Sequence, residues 1–257
     1  MKEQIHLAAQ YLAAAGISFV IPKNDDSHTN LGFNVDAKSL ETRQLSSERD
    51  VLAFNYEQFS LEWHSFSKKK MFKLDGKTHQ EVLQWLKETS LKCIGKSYKY
   101  DLHYDLPYSI DDDYTFKLKD IDELKYLSSL RILIQQTLEQ IIKDYHLETE
   151  IRVWPHHFDT GIYTAFRVNN NDTSSQESIH IGLGLAIPDR LCNKHYFYIS
   201  GYAKDKAIST TNFQNLDQGV WIDDNFKGAI LSTEKGVSKS DVIEFFREAI
   251  KQFTRID

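Results

Sequence analysis

The most chemically dense stretch of the sequence runs from Trp154 to Asp159 and places two imidazoles and one carboxylate beside a proline and aromatic residues. On an extended backbone, side chains two positions apart lie on the same side, so His157 and Asp159 would face one way and His156 the other. This arrangement allows His157 and Asp159 to converge on one ion. It also allows Asp159 to orient His157 as a base.

A metal-dependent hydrolase is one function that this spacing permits. A catalytic metal needs three protein ligands, and the segment supplies two of them, His157 and Asp159. The third would come from His180, His64 or His195. A metal held there would lower the pKa of its bound water and generate a nucleophile. A divalent metal, with His157, Asp159 and His180 as its ligands, is thus possible, and the sequence implies no other cofactor.

A pocket for a small molecule near this segment is the function that we expect first. His180 lies in a strand pattern beside Gly182 and Gly184, and glycines within a strand leave a patch that a ligand can approach closely. The same glycines are also typical of tight packing against a helix. The candidate ligand-binding residues are His157, Asp159, His180, Trp154 and Tyr198.

A structural corner is the third interpretation of the Trp154–Asp159 segment. Aspartate side chains commonly accept backbone N–H bonds in turns, and histidines donate to carbonyl groups. A strand end that contains a proline is where such a corner would form. The protein would then have a structural or interaction role, with no pocket at these residues.

Motifs of the common enzyme classes are missing from the sequence. Gly182-Leu183-Gly184 is not a dinucleotide fingerprint, because the third glycine that opens a helix is absent and Pro188 follows. The chain also has no GxxxxGK[ST], HExxH or GxSxG pattern. The sequence therefore leaves open whether the protein is an enzyme.

Two further groups of polar residues have simpler interpretations. Glu62 and His64 share one face of a strand pattern, which we interpret as a solvated face. The connection from residue 98 to residue 114 contains five tyrosines, and four of them would be able to stack on a sugar or a base. No cluster of basic residues is arranged beside them, so we expect this connection to pack onto the core. The four tyrosines are Tyr98, Tyr100, Tyr104 and Tyr108.

Composition restricts the partners that the protein can have. The 257 residues include 31 Lys and Arg against 37 Asp and Glu, which gives a formal net charge of -6. This excess of acidic residues argues against general nucleic-acid binding, which needs clustered positive charge. The one compact basic run, Lys68-Lys69-Lys70, is interpreted as a solvated turn or strand end. A small molecule is the partner that remains, and the oligomeric state is left open.

Hydropathy predicts neither a membrane span nor a secretory signal. No stretch approaches the roughly 18 consecutive apolar residues that a spanning helix needs. The alanine-rich start, Met1 to Ala15, is interrupted by polar residues, and we interpret it as an amphipathic helix closed by Gly16. We therefore expect a cytoplasmic protein that does not contact membranes.

The periodicity of apolar residues predicts an α+β fold in which antiparallel strands are backed by about four helices. Helices are expected at the N-terminus, after the capping box Thr78–Glu81, over about 120–146, and after a second capping box that begins at Ser238. Strands are expected near 31–35, 38–45, 50–56, 58–65, 151–153, 160–168, 178–187, 195–203, 219–222 and 228–232. Because strands and helices are segregated along the chain, a parallel βαβ series is not expected.

The order of elements predicts one compact domain over residues 1–257. A subdivision into 1–110 and 115–257 is possible, since each half has the pattern of several strands followed by a packing helix, although no repeat is visible in the sequence. The polar run from Asn169 to Ser175 is predicted to be a surface loop.

Residues 150–232 resemble a group of uncharacterised bacterial proteins. The group shares a Trp-Pro-x-His-Phe-Asp segment, a strand rich in small residues, aromatic strand residues, a tryptophan and a Phe-x-Gly-Ala-x-Leu element. The chain departs from the group around 182–195, where a Ser-Pro-Gly-Asp-like turn is usual. The resemblance implies no activity, and it adds that His157 and Asp159 belong to the shared segment. The matching residues are Trp154, Pro155, His157, Phe158, Asp159, Gly182, Gly184, Tyr196, Tyr198, Trp221, Phe226, Gly228, Ala229 and Leu231.

Overall fold

The computed structural model of the chain describes residues 1–66, 68–167, 178–204 and 206–254. The predicted surface loop Asn169–Ser175 lies outside the described residues. The chain divides into two compact units. Unit 1 comprises Met1–Ile132 and Arg152–Phe158, and unit 2 comprises Leu133–Ile151 and Asp159–Asp257.

Unit 1 contains an antiparallel sheet whose strands follow one another in the order β1-β2-β3-β4-β5. A short additional strand, β6, is joined to the start of β1 by an antiparallel bridge between Val153 and Leu31. The elements are α1 (Lys2–Phe19), β1 (Gly32–Asn34), β2 (Ser39–Glu41), β3 (Val51–Asn55), β4 (Ser60–Ser65), β5 (Lys68–Lys73), α2 (His79–Ile94), the first part of α3 (Ile121–Asp144), and β6 (Arg152–Trp154).

Unit 2 is built on strands in the order β11-β12-β9-β8-β7, with β10 paired to the far end of β9. All of these pairings are antiparallel, as predicted. The elements are the last part of α3, β7 (Asp159–Arg167), β8 (Ser178–Ala186), β9 (Tyr196–Ala203), β10 (Lys206–Ala207), β11 (Val220–Asp223), β12 (Lys227–Ser232) and α4 (Lys239–Phe253).

One face of the unit 2 sheet is covered by helices. Phe246 of α4 meets Phe197 of β9 edge to face, with ring centroids 6.4 Å apart. Phe253 lies so close to Gly201 that a Cβ atom there would be 2.4 Å from its ring. Tyr145, just after α3, packs against Phe166 of β7. Apolar residues alternate with other residues along β7 and β8, and they point toward this covered face. The opposite face of the sheet therefore carries polar and aromatic side chains.

Helix α1 differs from its prediction in two ways. It is buried on all sides from Gln4 to Gly16, whereas an amphipathic helix with one exposed face was expected. It also continues past Gly16 to Phe19. The glycine is needed for space, because a Cβ atom there would lie 2.8 Å from the carbonyl oxygen of His28.

The predicted helix caps are confirmed. Thr78 and Glu81 form a reciprocal capping box at the start of α2, and Ser238 and Asp241 form one at the start of α4. Gly95 ends α2 in the left-handed conformation. The α+β class is therefore confirmed, and the described residues contain four helices, where about four were expected. Among the described residues, no helix is long and apolar enough to cross a membrane.

Candidate functional site

The Trp154–Phe158 segment forms a turn, so the predicted extended backbone is wrong here. The N–H of Phe158 donates to the carbonyl oxygen of Trp154 at 2.6 Å, and Phe158 has a positive φ of 59°. The turn brings the exposed rings of His156 and His157 together, with centroids 4.2 Å apart. The two histidines therefore do not face opposite ways, and His157 is not aligned with Asp159 by strand periodicity.

Side chains of α1 hold this turn from within unit 1. The carbonyl oxygen of Pro155 accepts hydrogen bonds from Nε2 of His6 at 3.0 Å and from Nε2 of Gln10 at 2.8 Å. Since Nε2 of His6 donates, its Nδ1 accepts from the hydroxyl of Tyr108 at 2.6 Å. Burial lowers the pKa of His6, so the ring is neutral in this network.

Arg131 of α3 holds the other side of the turn. Its Nη2 donates to the carbonyl oxygen of Phe158 at 2.7 Å, and its guanidinium lies 4.3 Å from the centre of the Phe158 ring. The Arg131 side chain is almost fully buried, which makes these contacts costly to lose. Together with the His6 and Gln10 contacts, they favour the structural-corner interpretation for residues 154–158.

The tyrosines of the 98–114 connection pack onto α1, as expected. The Tyr104 hydroxyl donates to Oε1 of Gln10 at 2.6 Å, and the Tyr98 hydroxyl donates to the carbonyl oxygen of Tyr11 at 3.1 Å. Burial raises the pKa of Tyr100 to about 12. Tyr98, Tyr104 and Tyr108 therefore supply polar partners that let an alanine-rich helix with His6 and Gln10 be buried on every side.

Asp159 is the first residue of β7 and belongs to unit 2. Its Oδ2 accepts a 2.6 Å hydrogen bond from the hydroxyl of Tyr198 on β9. Burial and the adjacent Asp159 carboxylate raise the pKa of Tyr198 well above its usual value, so the hydroxyl keeps its proton and donates. Two of the predicted ligand-binding residues are therefore brought into direct contact.

The glycines of β8 have two different roles. Gly184 lies between Gly161 of β7 and Tyr198 of β9 in the register, and a Cβ atom at Gly184 would be 2.1 Å from the carbonyl oxygen of Thr160. The close packing predicted for this glycine is thus against a strand, where a helix was expected. At Gly182 a Cβ atom would lie 3.4 Å from Tyr163, which is an ordinary contact.

An exposed group of aromatic side chains lies on the face of the unit 2 sheet that also carries Asp159 and Tyr198. The rings of Tyr163 and His180 are nearly parallel, with centroids 5.4 Å apart and 17° between their planes, and Tyr202 meets Tyr163 edge to face. Tyr163 is 51% exposed, and His180 is exposed as well. We call the surface formed by Tyr163, Ala165, Arg167, Ser178, His180 and Tyr202 the Tyr–His face; the register places all six on one side of the sheet.

The predicted site residues therefore divide into two sets. Asp159, His180 and Tyr198 share one face of the unit 2 sheet, whereas Trp154 and His157 belong to the turn of unit 1. Within the described part of the chain, no group of three or more His, Cys, Asp and Glu side chains is placed to hold a metal, so the ligand set that we predicted does not form one there.

The other histidines considered as metal ligands have different surroundings. Nε2 of His64 lies 2.9 Å from Oε2 of Glu62, and Nζ of Lys69 lies 2.8 Å from the same oxygen. Glu62 is only 1% exposed, so the solvated-face interpretation is wrong for this residue. The carbonyl oxygen of His195 accepts from the N–H and the hydroxyl of Thr233, which secures the start of β9.

Sequence reasoning missed the residues that surround the Trp154–Phe158 turn and those that form most of the Tyr–His face. His6 and Gln10 are one helical turn apart in an alanine-rich helix, a spacing that could have indicated a shared partner. Arg131 interrupts the apolar pattern of α3, which is a similar signal. Tyr163 gave no signal, because its exposed position depends on which strand face the helices cover.

Comparison with known proteins adds no relative. No protein-family profile, no curated protein and no solved structure matches the chain. The resemblance to uncharacterised bacterial proteins therefore stays a prediction.

Proposed function

We propose that unit 2 binds a small aromatic anion on the Tyr–His face, in keeping with the small-molecule partner expected from the sequence. The observation that carries the proposal is the exposed pair of parallel rings, Tyr163 and His180, on adjacent strands of a rigid sheet. Exposed aromatic rings that are held in place offer stacking surface at little entropic cost.

The residues next to the Tyr163–His180 pair indicate that the ligand is negatively charged. Ala165 and Ser178 are small and exposed, and the register places Ala165 opposite His180 and Ser178 opposite Arg167. A ring that stacks on the aromatic pair would lie over these small residues and reach Arg167. A guanidinium pairs with planar carboxylates and with phosphates through two parallel hydrogen bonds, so an aromatic carboxylate or aryl phosphate fits best.

The Asp159–Tyr198 pair has a positioning role in this proposal. Oδ2 of Asp159 is bonded to Tyr198, and this contact ties β7 to β9 across β8. The pair therefore keeps the strands that carry Tyr163 and Tyr202 in register. Trp154 and His157 are left out of the ligand contacts, and no metal is required. The proposed location remains the cytoplasm.

The proposal is tested by an NMR titration of the uniformly ¹⁵N-labelled chain with aromatic carboxylates and aryl phosphates. Each acid is paired with its neutral amide, for example nicotinate with nicotinamide. We expect shift changes to concentrate at Tyr163, Arg167 and His180, and binding of each acid to exceed that of its amide. Arg167→Gln should remove this preference and weaken the acids about tenfold, the effect of one charge-assisted contact.

Two control variants distinguish binding on the Tyr–His face from binding elsewhere on the chain. Tyr163→Ala should weaken acid and amide alike, whereas Tyr126→Ala removes an exposed tyrosine of unit 1 and should change neither. Shift changes centred on His157 would contradict the proposal and favour the pocket first expected from the sequence. Equal binding of acid and amide by the wild-type protein would show that Arg167 does not recognise the acidic group of the ligand.

A further inference from the structure

The hairpin formed by β4 and β5 carries the most exposed large apolar side chain among the described residues. Phe66 follows the last residue of β4 and is 91% exposed. Met71 of β5 is 43% exposed. Isolated exposed apolar residues are common in proteins, but Phe66 keeps almost its whole side chain in water.

The same hairpin concentrates positive charge. Residues 60–73 contain four lysines and one acidic residue, in a chain whose formal net charge is -6. Lys69 pairs with that acidic residue, Glu62, which leaves three lysines in excess. Lys68 and Lys73 are exposed, and Lys70 is half-buried.

Protection of the sheet edge explains part of this pattern. Strand β5 is at the end of the strand order in unit 1, and lysines on edge strands discourage pairing with other chains. That role does not require an exposed aromatic residue beside the lysines. An aromatic side chain that precedes exposed lysines in the same hairpin is instead suited to the boundary of an anionic bilayer, where the ring lies at headgroup level and the lysines meet lipid phosphates.

We infer that the β4–β5 hairpin is a peripheral docking site for anionic lipid surfaces. Phe66 enters the headgroup region, and Lys68 and Lys70, which share one face of β5 near Phe66, contact the phosphates. Lys73 pairs with Ser60 at the far end of the hairpin and is not part of this surface. This contact needs no spanning helix, so it is consistent with the helices described above, and it revises the expectation that the protein does not contact membranes. One aromatic residue and two lysines give weak, reversible binding that depends on the lipid charge and on salt. The inference concerns unit 1 and does not rest on the proposed ligand site in unit 2.

The test is co-sedimentation of the full chain with vesicles of phosphatidylcholine alone or mixed in equal parts with phosphatidylserine. We expect binding only to the mixed vesicles and its loss at high salt. Phe66→Ala should lower the partition coefficient about tenfold, while Phe66→Trp should retain or increase it, since tryptophan favours the bilayer interface. Lys68→Glu with Lys70→Glu should abolish binding. Ile21→Ala removes an 84% exposed apolar residue elsewhere in unit 1 and should leave binding unchanged.

Three results would overturn the inference. One is the absence of sedimentation with mixed vesicles at low salt. Another is equal binding by Phe66→Ala and the wild type, which would indicate charge attraction without insertion. The third is binding to soluble polyglutamate that matches binding to vesicles and is insensitive to Phe66→Ala, which would point to an acidic polypeptide as the partner. Circular dichroism and thermal unfolding of every variant confirm that it is folded before the comparison is made.

Discussion

The hydroxyl of Tyr198 donates to Oδ2 of Asp159 across a strand that lies between them. Tyr198 is on β9 and Asp159 begins β7, while β8 contributes Gly184 at the intervening register position. Gly161 occupies the next position on β7, so no side chain stands in the path of the tyrosine. The two glycines therefore make possible a contact between strands that are not neighbours.

The Tyr198–Asp159 contact should contribute to the stability of unit 2. We expect Tyr198→Phe to lower the free energy of unfolding by about 1–3 kcal/mol, because a half-buried carboxylate oxygen loses its donor. Urea unfolding of Tyr198→Phe, Asp159→Ala and the double variant gives a double-mutant cycle that isolates the pair. Strictly additive effects would show that the contact contributes nothing.

The two glycines of β8 provide a matched pair of substitutions. Gly184→Ala should destabilise the fold by about 1–3 kcal/mol or more, because the new Cβ atom would overlap the main chain of Thr160. Gly182→Ala should change stability by about 0.5 kcal/mol or less, since its Cβ atom would make an ordinary contact with Tyr163. Thermal unfolding of both variants decides this, and equal effects would contradict the assigned roles.

Arg131 should matter more for stability than an exposed arginine in an ion pair. Arg131→Met leaves the carbonyl oxygen of Phe158 without this donor and should cost about 1–3 kcal/mol. The control is Arg247→Met, which removes an exposed pair with Asp144 and should have little effect. Chemical unfolding measures both. A small effect at Arg131 would mean that the 154–158 turn does not depend on it.

Acid should destabilise unit 1 through His6. Burial lowers its pKa in the folded chain, so below the ordinary value of 6.5 the unfolded chain binds a proton that the folded chain does not. The free energy of unfolding is therefore highest above about pH 6.5 and falls as the pH drops toward the folded pKa. Burial lowers the pKa of His79 as well, and it adds to this loss.

The His6→Gln variant tests this assignment. Glutamine stays neutral, so the free energy of unfolding should fall less steeply below about pH 6.5 than in the wild type. The slope should decrease by up to about 1.4 kcal/mol per pH unit, the value for one proton. Urea midpoints measured at several pH values between about 7.5 and 5 give the slope. An unchanged slope would mean that His6 does not titrate differently in the two states.

The sequence by itself determined the class of the fold and most of its elements. The capping boxes at Thr78 and Ser238 are local, since each side chain bonds backbone groups within three residues. The alternation in β7 and β8 is also local, because it needs only a two-residue period and one apolar face. For the candidate site, the same reasoning identified Asp159, Tyr198 and His180 as residues of interest.

Tertiary structure decided where those residues went and what surrounds them. The Trp154–Phe158 segment turns because His6, Gln10 and Arg131, which are distant in sequence, bond its carbonyl oxygens. Glu62 is buried although its strand pattern is typical of a solvated face. Elements far apart along the chain determine which face of a sheet is covered. They also determine which carbonyl group a buried polar side chain contacts. Periodicity gives the faces of a strand, but only packing chooses the one that stays exposed for a ligand.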